Sequence, residues 1–127
     1  MLVKTYTSSV FGITATTITI EVNLGIGVNF FMVGLPDNAV KESQHRIESA
    51  LKQEGYFIPR QKIIINLAPA DIKKTGTAFD LSIAIGILGA TEQIENPERL
   101  SDYVIMGELS LDGSIQSIKG ALPIAIQ

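Results

Sequence analysis

The residues best suited to bind a ligand or to react lie in the stretch PADIKKTGTAFD, residues 69–80. Lys73 and Lys74 stand just before Gly76 and Thr77, where an apolar segment typical of a buried helix begins. The start of a helix has unpaired N–H groups and a positive dipole end, which favour anions. These four residues could therefore bind an anion such as a phosphate, although a surface loop with two solvated lysines is the simpler interpretation. The Walker pattern GxxxxGK[ST] is absent from the sequence, which excludes a Walker-type ATP site here.

The same region contains hydroxyl groups that could act as nucleophiles if a base lay within reach. Thr77 and Ser82 lie near the expected helix start, and Lys119 supplies an amine further along the chain. A threonine at this position more often caps a helix or occupies its first turn. A serine within an apolar helix is more often a small packed residue. The sequence leaves both interpretations open.

Other polar residues carry weaker signals. His45, the single histidine, is expected on the solvated face of a helix. Glu108 and Asp112 fall at opposite ends of an expected hairpin strand, which argues against a shared divalent metal ion. Four basic residues could form a small patch, although ordinary solvation is the simpler interpretation: Arg60, Lys62, Lys73 and Lys74. We expect no metal site.

Composition indicates the class of domain that must position these residues. The chain has 127 residues, 46% of them hydrophobic, so a single packed domain is expected. The absence of cysteine excludes disulfides, thiolate zinc sites and a cysteine nucleophile. The net charge of −3 argues against a domain whose main task is to coat nucleic acid. No apolar run reaches the ~20 residues of a membrane span, and no signal peptide is apparent, so we expect a cytoplasmic domain.

Hydrophobic patterning predicts a mixed α+β domain. Three segments rich in β-branched and aromatic residues favour a meander of three strands: residues 2–10, 13–23 and 29–33. Asp37 and Asn38 are good helix caps, and Gly55 is well placed to end the helix that follows them. The predicted buried face of that helix contains Val40, Ile47, Ala50 and Leu51. Residues 63–68 then form a short apolar strand, of the type buried on both faces in a parallel pair.

The second half is expected to continue with a loop, a buried helix and a hairpin. Residues 77–91 are apolar nearly all round, which is typical of a helix at the centre of a domain. Residues 103–111 and 114–118 flank Asp112-Gly113, a strong signal for a type I′ turn. Residues 120–127 have the pattern of the first turns of another apolar helix. We therefore expect residues 1–127 to be one domain, cut from a longer protein.

Three motifs together resemble a known family. They are GLPDNAVKES at 34–43, INLAPADIKKTGTAFDLSIAIGIL at 65–88, and GELSLDGSI at 107–115 followed by KGALPIAI. In order and spacing they resemble the N-terminal domain of the magnesium-chelatase-like AAA+ ATPases, the YifB/ComM family. The resemblance implies a Lon-protease-like domain with the ribosomal protein S5 domain 2-like fold: three N-terminal strands, then α-β-α and a β-hairpin, with a left-handed βαβ crossover.

The resemblance also implies how the whole protein works. An ATPase module that binds ATP and Mg would follow this segment, and the parent would be a hexameric, ComM-like helicase that drives DNA branch migration during natural transformation. The implied partners of the segment are its own ATPase module, neighbouring subunits of a homo-hexamer, and DNA; no membrane is implied. Lys73 and Lys74, repeated six times around a ring, would supply the contact with DNA.

The likeness to Lon further implies that this segment is not an enzyme. Active Lon domains place a serine nucleophile in a Gly-Pro-Ser-Ala-Gly run. Aligning Gly76 with its first glycine puts Ala78 at the serine position. The lysine position of the dyad falls on Leu122, and Lys119 comes three residues too early. We therefore expect no catalytic, cofactor-binding or metal-binding residues in this segment.

Two alternatives remain open. The first is a residual Ser/Thr peptidase that uses Thr77 or Ser82 with Lys119. The second is a phosphate- or nucleotide-binding domain that uses the helix start at Gly76, as small-molecule kinases on a related fold do. A hydroxyl within hydrogen-bond reach of the amine would favour the first, and stabilisation by ATP or phosphate would favour the second.

Overall fold

The computed structural model describes residues 2–11 and 14–116. Within them, the elements in chain order are β1 (Leu2–Phe11), β2 (Thr14–Gly25), β3 (Phe30–Val33), α1 (Asn38–Lys41), α2 (Ser43–Gln53), β4 (Lys62–Ala68), α3 (Asp80–Ala90), a 3-10 helix (Pro97–Asp102), β5 (Glu108–Leu109) and β6 (Ile115–Gln116). No helix in this part of the chain is both long enough and apolar enough to cross a membrane.

A four-stranded sheet in the order β1-β2-β4-β3 forms the centre of the fold. β1 and β2 form an antiparallel hairpin, β4 runs antiparallel to β2, and β3 runs parallel to β4. The antiparallel pairing of β1 with β2, which the predicted meander requires, is confirmed. The third strand of the meander is wrong, because β4 occupies the place beside β2 that the meander gave to β3. The seven-residue β4 pairs with β2 along its whole length, and it buries more apolar surface there than the four-residue β3 could.

Within the described part of residues 2–116, the helices pack on one face of this sheet. α3 packs against β1 and β2, and α2 packs against α3. Burial alternates strictly along β4, with Ile63, Ile65 and Leu67 buried and the residues between them half-buried. The expected parallel pairing of this strand is confirmed, but burial on both faces is wrong. On the opposite face, polar pairs such as Lys4–Glu21 lie near solvent.

The first helical region follows its predicted pattern, with one interruption. The four residues expected on its apolar face are all buried: Val40, Ile47, Ala50 and Leu51. Oδ1 of Asp37 accepts a hydrogen bond from the N–H of Val40 at 2.8 Å, which confirms the predicted cap. The helix is divided at Glu42 into α1 and α2. Gly55 has φ of +85°, the left-handed conformation expected of a glycine that ends a helix.

α3 is the buried helix that the sequence predicts, although it begins at Asp80 rather than at residue 77. Nine of its eleven residues are buried, and only Leu81 and Ile85 are half-buried. At Gly86 an added Cβ would lie 2.7 Å from a methyl carbon of Val22, so the glycine allows α3 to approach the sheet closely.

The C-terminal hairpin is present but shorter than predicted. Its strands β5 and β6 have two residues each, and the outer ends of the predicted 103–111 and 114–118 strands are not paired as a ladder within the described residues. The type I′ prediction is wrong, because only Gly113 of the two central residues has positive φ. The N–H of Gly113 instead donates to the carbonyl of Ser110, which gives a three-residue loop with glycine in the left-handed position.

Some predictions are not tested by this part of the chain. β3, α1, α2 and β4 form a βαβ unit with adjacent parallel strands. Its left-handed crossover and the S5 domain 2-like class stay predictions. The helix expected at 120–127 lies outside the described residues, as does the end of the 114–118 strand.

Gly34→Ala should destabilise the domain far more than Gly55→Ala. Gly34 has φ of +103°, and an added Cβ would lie 2.1 Å from the carbonyl oxygen of Leu67. The cost of the alanine therefore includes both backbone strain and a steric overlap with β4. Gly55 also has positive φ, but a Cβ added there would have no other atom within 4 Å. We expect losses of about 3 kcal/mol or more and about 1 kcal/mol, respectively, by urea denaturation. Equal losses would contradict the close approach of Gly34 to β4.

Candidate functional site

The candidate site lies where the parallel strands β3 and β4 end, because their carboxyl ends lead into two adjacent loops. In this region of a sheet, loop residues from neighbouring strands converge. The N–H of Lys74 donates to the carbonyl of Leu35, and the N–H of Asp37 donates to the carbonyl of Lys74, both at 2.9 Å. Oδ2 of Asp37 also accepts a 3.4 Å contact from the N–H of Gly76. The two loops are therefore joined through their backbones.

The two lysines of this site differ in their exposure to solvent. Lys73 is exposed, but Lys74 is fully buried and its Nζ donates to the carbonyl of Pro69. Burial lowers the pKa of Lys74 by disfavouring the charged ammonium, and the nearby Asp71 offsets part of this effect. The interpretation of two solvated lysines is therefore wrong for Lys74, whose side chain cannot reach a phosphate in this conformation. A contact of Lys73, Gly76 and Thr77 with an anion stays a prediction.

The start of α3 does not offer the open N–H groups that an anion would need. Gly76 and Thr77 precede the helix by several residues, because α3 begins at Asp80. The N–H of Leu81 donates to the carbonyl of Gly107 at 3.0 Å, and the N–H of Asp80 donates to that of Thr77 at 3.3 Å. A carboxylate in the first turn also occupies the place where the helix dipole would favour a bound anion.

The residues proposed as nucleophiles do not form a catalytic arrangement in the described part of the chain. Ser82 is fully buried, and its hydroxyl donates to the carbonyl of Phe79 at 3.0 Å, as expected of a packed serine. Thr77 is half-buried, and it does not cap α3. Ala78 is half-buried, and its carbonyl accepts from the N–H of Gly107 at 3.0 Å. Lys119 and Leu122, the proposed amine and the residue at the Lon lysine position, lie outside the described residues.

A buried ion pair near the site joins Arg46 and Asp80. Asp80 is fully buried, and its carboxylate accepts from Nε and Nη2 of Arg46 at 2.6 and 2.9 Å. Nη2 also donates to the carbonyl of Ala39 at 2.8 Å, and the N–H of Leu109 donates to Asp80 at 3.1 Å. The hydrogen bond to Asp80 raises the pKa of Arg46, against the opposing effect of burial. This bidentate pair ties α2, α3 and β5 together.

Sequence reasoning missed this pair, because the buried face that it predicted for this helix does not include Arg46. One signal could have indicated it. A carboxylate in a helix that is apolar on all sides must be buried, and buried charges are almost always paired. Asp80 therefore requires a basic partner, although the sequence does not say which of the ten lysines and arginines supplies it.

The remaining candidates are separate from one another. Arg60 and Lys62 lie at the start of β4 and Lys73 lies beyond its end, about 20 Å away for a seven-residue strand, so the four expected basic residues do not form one patch. His45 is exposed on α2, as expected. Among the described residues, no three His, Cys, Asp or Glu side chains cluster as metal ligands would.

Comparison with known proteins gives consistent matches. The family described as subunit ChlI of Mg-chelatase matches residues 20–127. YifB of Escherichia coli strain K12 is 42% identical over 123 residues, which are 96% of this chain and 24% of YifB. Competence protein ComM of Haemophilus influenzae is 42% identical over 119 residues, 93% of this chain and 23% of ComM. A Mycobacterium tuberculosis H37Rv protein is 32% identical over 124 residues, 97% of this chain and 24% of that protein. The chain spans about a quarter of the length of these relatives.

Removal of the Asp80 carboxylate should be strongly destabilising. Asp80→Ala leaves the guanidinium of Arg46 without its partner in a mostly buried position, and we expect a loss of about 3–5 kcal/mol in the free energy of unfolding. Glu42→Ala is the matched control, because Glu42 is largely exposed and 3.8 Å from Arg46; it should cost less than about 1 kcal/mol. Thermal and urea unfolding monitored by circular dichroism measure both, and similar small losses would show that the buried pair does not stabilise the fold.

Proposed function

Because the chain belongs to the family of ChlI, the subunit of Mg-chelatase, we propose that it is a non-catalytic N-terminal domain of a magnesium-chelatase-like AAA+ ATPase. The motif resemblance to the YifB/ComM family is confirmed by these matches. ATP and Mg would be bound by the remainder of the parent, given that the relatives are about four times longer than this chain. The domain would hold subunits together in a homo-hexamer and contact its own ATPase module.

One observation carries the non-catalytic part of the proposal: Ala78 occupies the position that the likeness to Lon gives to the serine nucleophile. A methyl group cannot attack a carbonyl carbon. The backbone around Ala78 is also committed to packing, since its carbonyl and the N–H of Leu81 both bond to Gly107. The neighbouring Asp80 is held by Arg46. These contacts support a scaffold role for the segment that carries the nucleophile in active Lon domains.

The two alternatives are less well supported. For a peptidase, the buried Ser82 would have to give up its hydrogen bond to Phe79 before it could meet a substrate. Thr77 is the more accessible hydroxyl, so it is the residue that a test of peptidase activity must include. For a phosphate-binding domain, the N–H of Leu81 is already bonded to Gly107, and Asp80 adds negative charge at the same helix start.

The finer part of the proposal is a ComM-like parent that acts on DNA, which is supported by the name of the Haemophilus relative, competence protein. Lys73 is the exposed member of the expected lysine pair, and a hexamer would present it six times. Repetition matters here, because one lysine on a domain with a net charge of −3 binds a phosphate backbone only weakly.

The scaffold role predicts two results in the full-length protein, one for its subunit number and one for proteolysis. Deletion of residues 1–127 should lower the number of subunits in the assembly, measured by mass photometry with ATP present. The intact protein should not cleave an unfolded substrate such as casein, with or without ATP. Cleavage that is abolished by the near-isosteric Thr77→Val would replace the scaffold role by a peptidase. An unchanged subunit number after deletion would remove the oligomer-organising role.

Lys73 has its own test in the same assembly. Lys73→Glu should lower the affinity of the full-length hexamer for duplex DNA by at least threefold at low salt, with the difference shrinking as salt is raised. Lys52→Glu changes the charge equally at an exposed position on α2, and it should have a smaller effect. Equal binding by the wild type and Lys73→Glu would exclude Lys73 as a DNA contact.

A further inference from the structure

The sheet has two outer strands, and they differ in how their edges are used. At β1, the N–H of Ile105 donates to the carbonyl of Tyr6 at 2.7 Å, and the 3-10 helix packs against the same strand. At β3, the only strand partner among the described residues is β4, on the inner side. The outer edge of β3 is therefore the open edge of the sheet in this part of the chain.

The open edge is unusually apolar. Fifteen consecutive residues, from 22 to 36, contain no charged side chain. Within them, five large apolar side chains are exposed: Ile26 (102%), Val28 (80%), Phe31 (43%), Val33 (48%) and Leu35 (52%). We call these five side chains, together with the backbone of β3, the apolar edge. Monomeric proteins usually protect such an edge with charges, proline or a bulge on the strand itself.

The protection present at the apolar edge is slight. The amine of Lys62, on the neighbouring strand β4, lies 5.5 Å from the centre of the Phe31 ring and covers part of one face. β3 itself has no charged residue and no proline. A strand with these properties readily pairs with another strand. The apolar edge is thus better suited to an interface than to permanent contact with water.

We propose that the apolar edge binds the same edge of a second copy of this chain, with the two β3 strands antiparallel about a two-fold axis. The proposal rests on the proposed oligomer-organising function and names the surface that carries it. An uncharged strand can face its own copy without like-charge repulsion, which is the charge condition for self-pairing. Pairing with the β1 edge of another copy would first have to displace the segment bonded at Tyr6.

The register follows from the direction of the backbone groups. The N–H of Ile63 donates to the carbonyl of Asn29, so in the parallel ladder Asn29, Phe31 and Val33 bond to β4. The N–H and carbonyl groups of the alternate residue Met32 then point outward. A two-fold axis at Met32 pairs its two copies by hydrogen bonds and places Phe31 opposite Val33 of the second copy. Two apolar cross-strand pairs result on the open face of the sheet.

A two-fold contact joins subunits in pairs. A ring that uses it must therefore contain an even number of subunits, which a hexamer satisfies as three pairs. The apolar edge would not by itself close a ring, so the ATPase module or another surface must supply the contacts between pairs.

Disulfide trapping in the full-length protein tests the register. Residues opposite each other in a non-hydrogen-bonded antiparallel pair have Cα atoms about 4.5 Å apart, within the range of a disulfide. This chain contains no cysteine, so Phe31→Cys and Val33→Cys introduce single thiols into it; cysteines elsewhere in the protein are replaced first. A mixture of the two variants should form at least five times more cross-linked dimer than either variant alone, on non-reducing gels. No cross-link above the single-variant level, in an assembly of native subunit number, would overturn the proposal.

Charge substitution provides the second test. In the wild-type assembly, Val33→Lys should weaken the contact at least tenfold, whereas Val33→Thr, of similar size and uncharged, should weaken it less than threefold. Mixing Val33→Lys with Phe31→Glu copies should restore pairing, because the new lysine and glutamate would be opposite each other. Both positions are exposed, so the variants should melt as the wild type does.

The outcomes also separate this inference from the proposed function. If Val33→Lys leaves the subunit number unchanged while deletion of residues 1–127 lowers it, the domain organises the oligomer through another surface and this inference is wrong. If Val33→Lys weakens the assembly but Phe31→Glu copies do not restore it, the apolar edge binds a different segment, and self-pairing is wrong.

Discussion

The buried ion pair of Arg46 and Asp80 is the interaction on which the arrangement of this domain most depends. A carboxylate with no exposed surface is tolerable only if its charge is matched and its oxygens are hydrogen-bonded. Both oxygens bond to the guanidinium, and one also accepts from the N–H of Leu109. The pair thereby fixes the position of the surface helix α2, the central helix α3 and the start of the hairpin relative to one another.

The same constraint explains why the groups around the start of α3 are engaged in packing. The first turn of α3 holds a buried anion of the protein itself, so its electrostatic capacity is used internally. The N–H of Leu81 is bonded to Gly107, and the ammonium of Lys74 is directed to the carbonyl of Pro69. Within the described residues, these groups join the loops and helices around the start of α3.

Local patterns in the sequence predicted much of this fold, and long-range pairing accounts for what they missed. Periodicity identified the buried face of the first helical region, because burial follows the 3.6-residue repeat whatever the partner. The burial of α3 was predicted differently, from the apolar composition of residues 77–91 on all sides. The place of β4 between β2 and β3 depends on which strands bury most surface together, which no single segment reveals. Likewise, Arg46 and Asp80 are 34 positions apart, and Lys74 is buried where its backbone bonds to Leu35 and Asp37 of another loop. The sequence thus indicated the segment that contains the candidate site, but not the burial of Lys74 or the pairing of Asp80 with Arg46.

The carboxylate of Asp37 has a consequence for how motion could pass through the domain. One oxygen holds the beginning of α1, and the other contacts the backbone of Gly76 ahead of α3. A single side chain thus bonds to two segments that are far apart along the polypeptide. A displacement of the Gly76 backbone would therefore also disturb the cap of α1, because both bond to the same carboxylate.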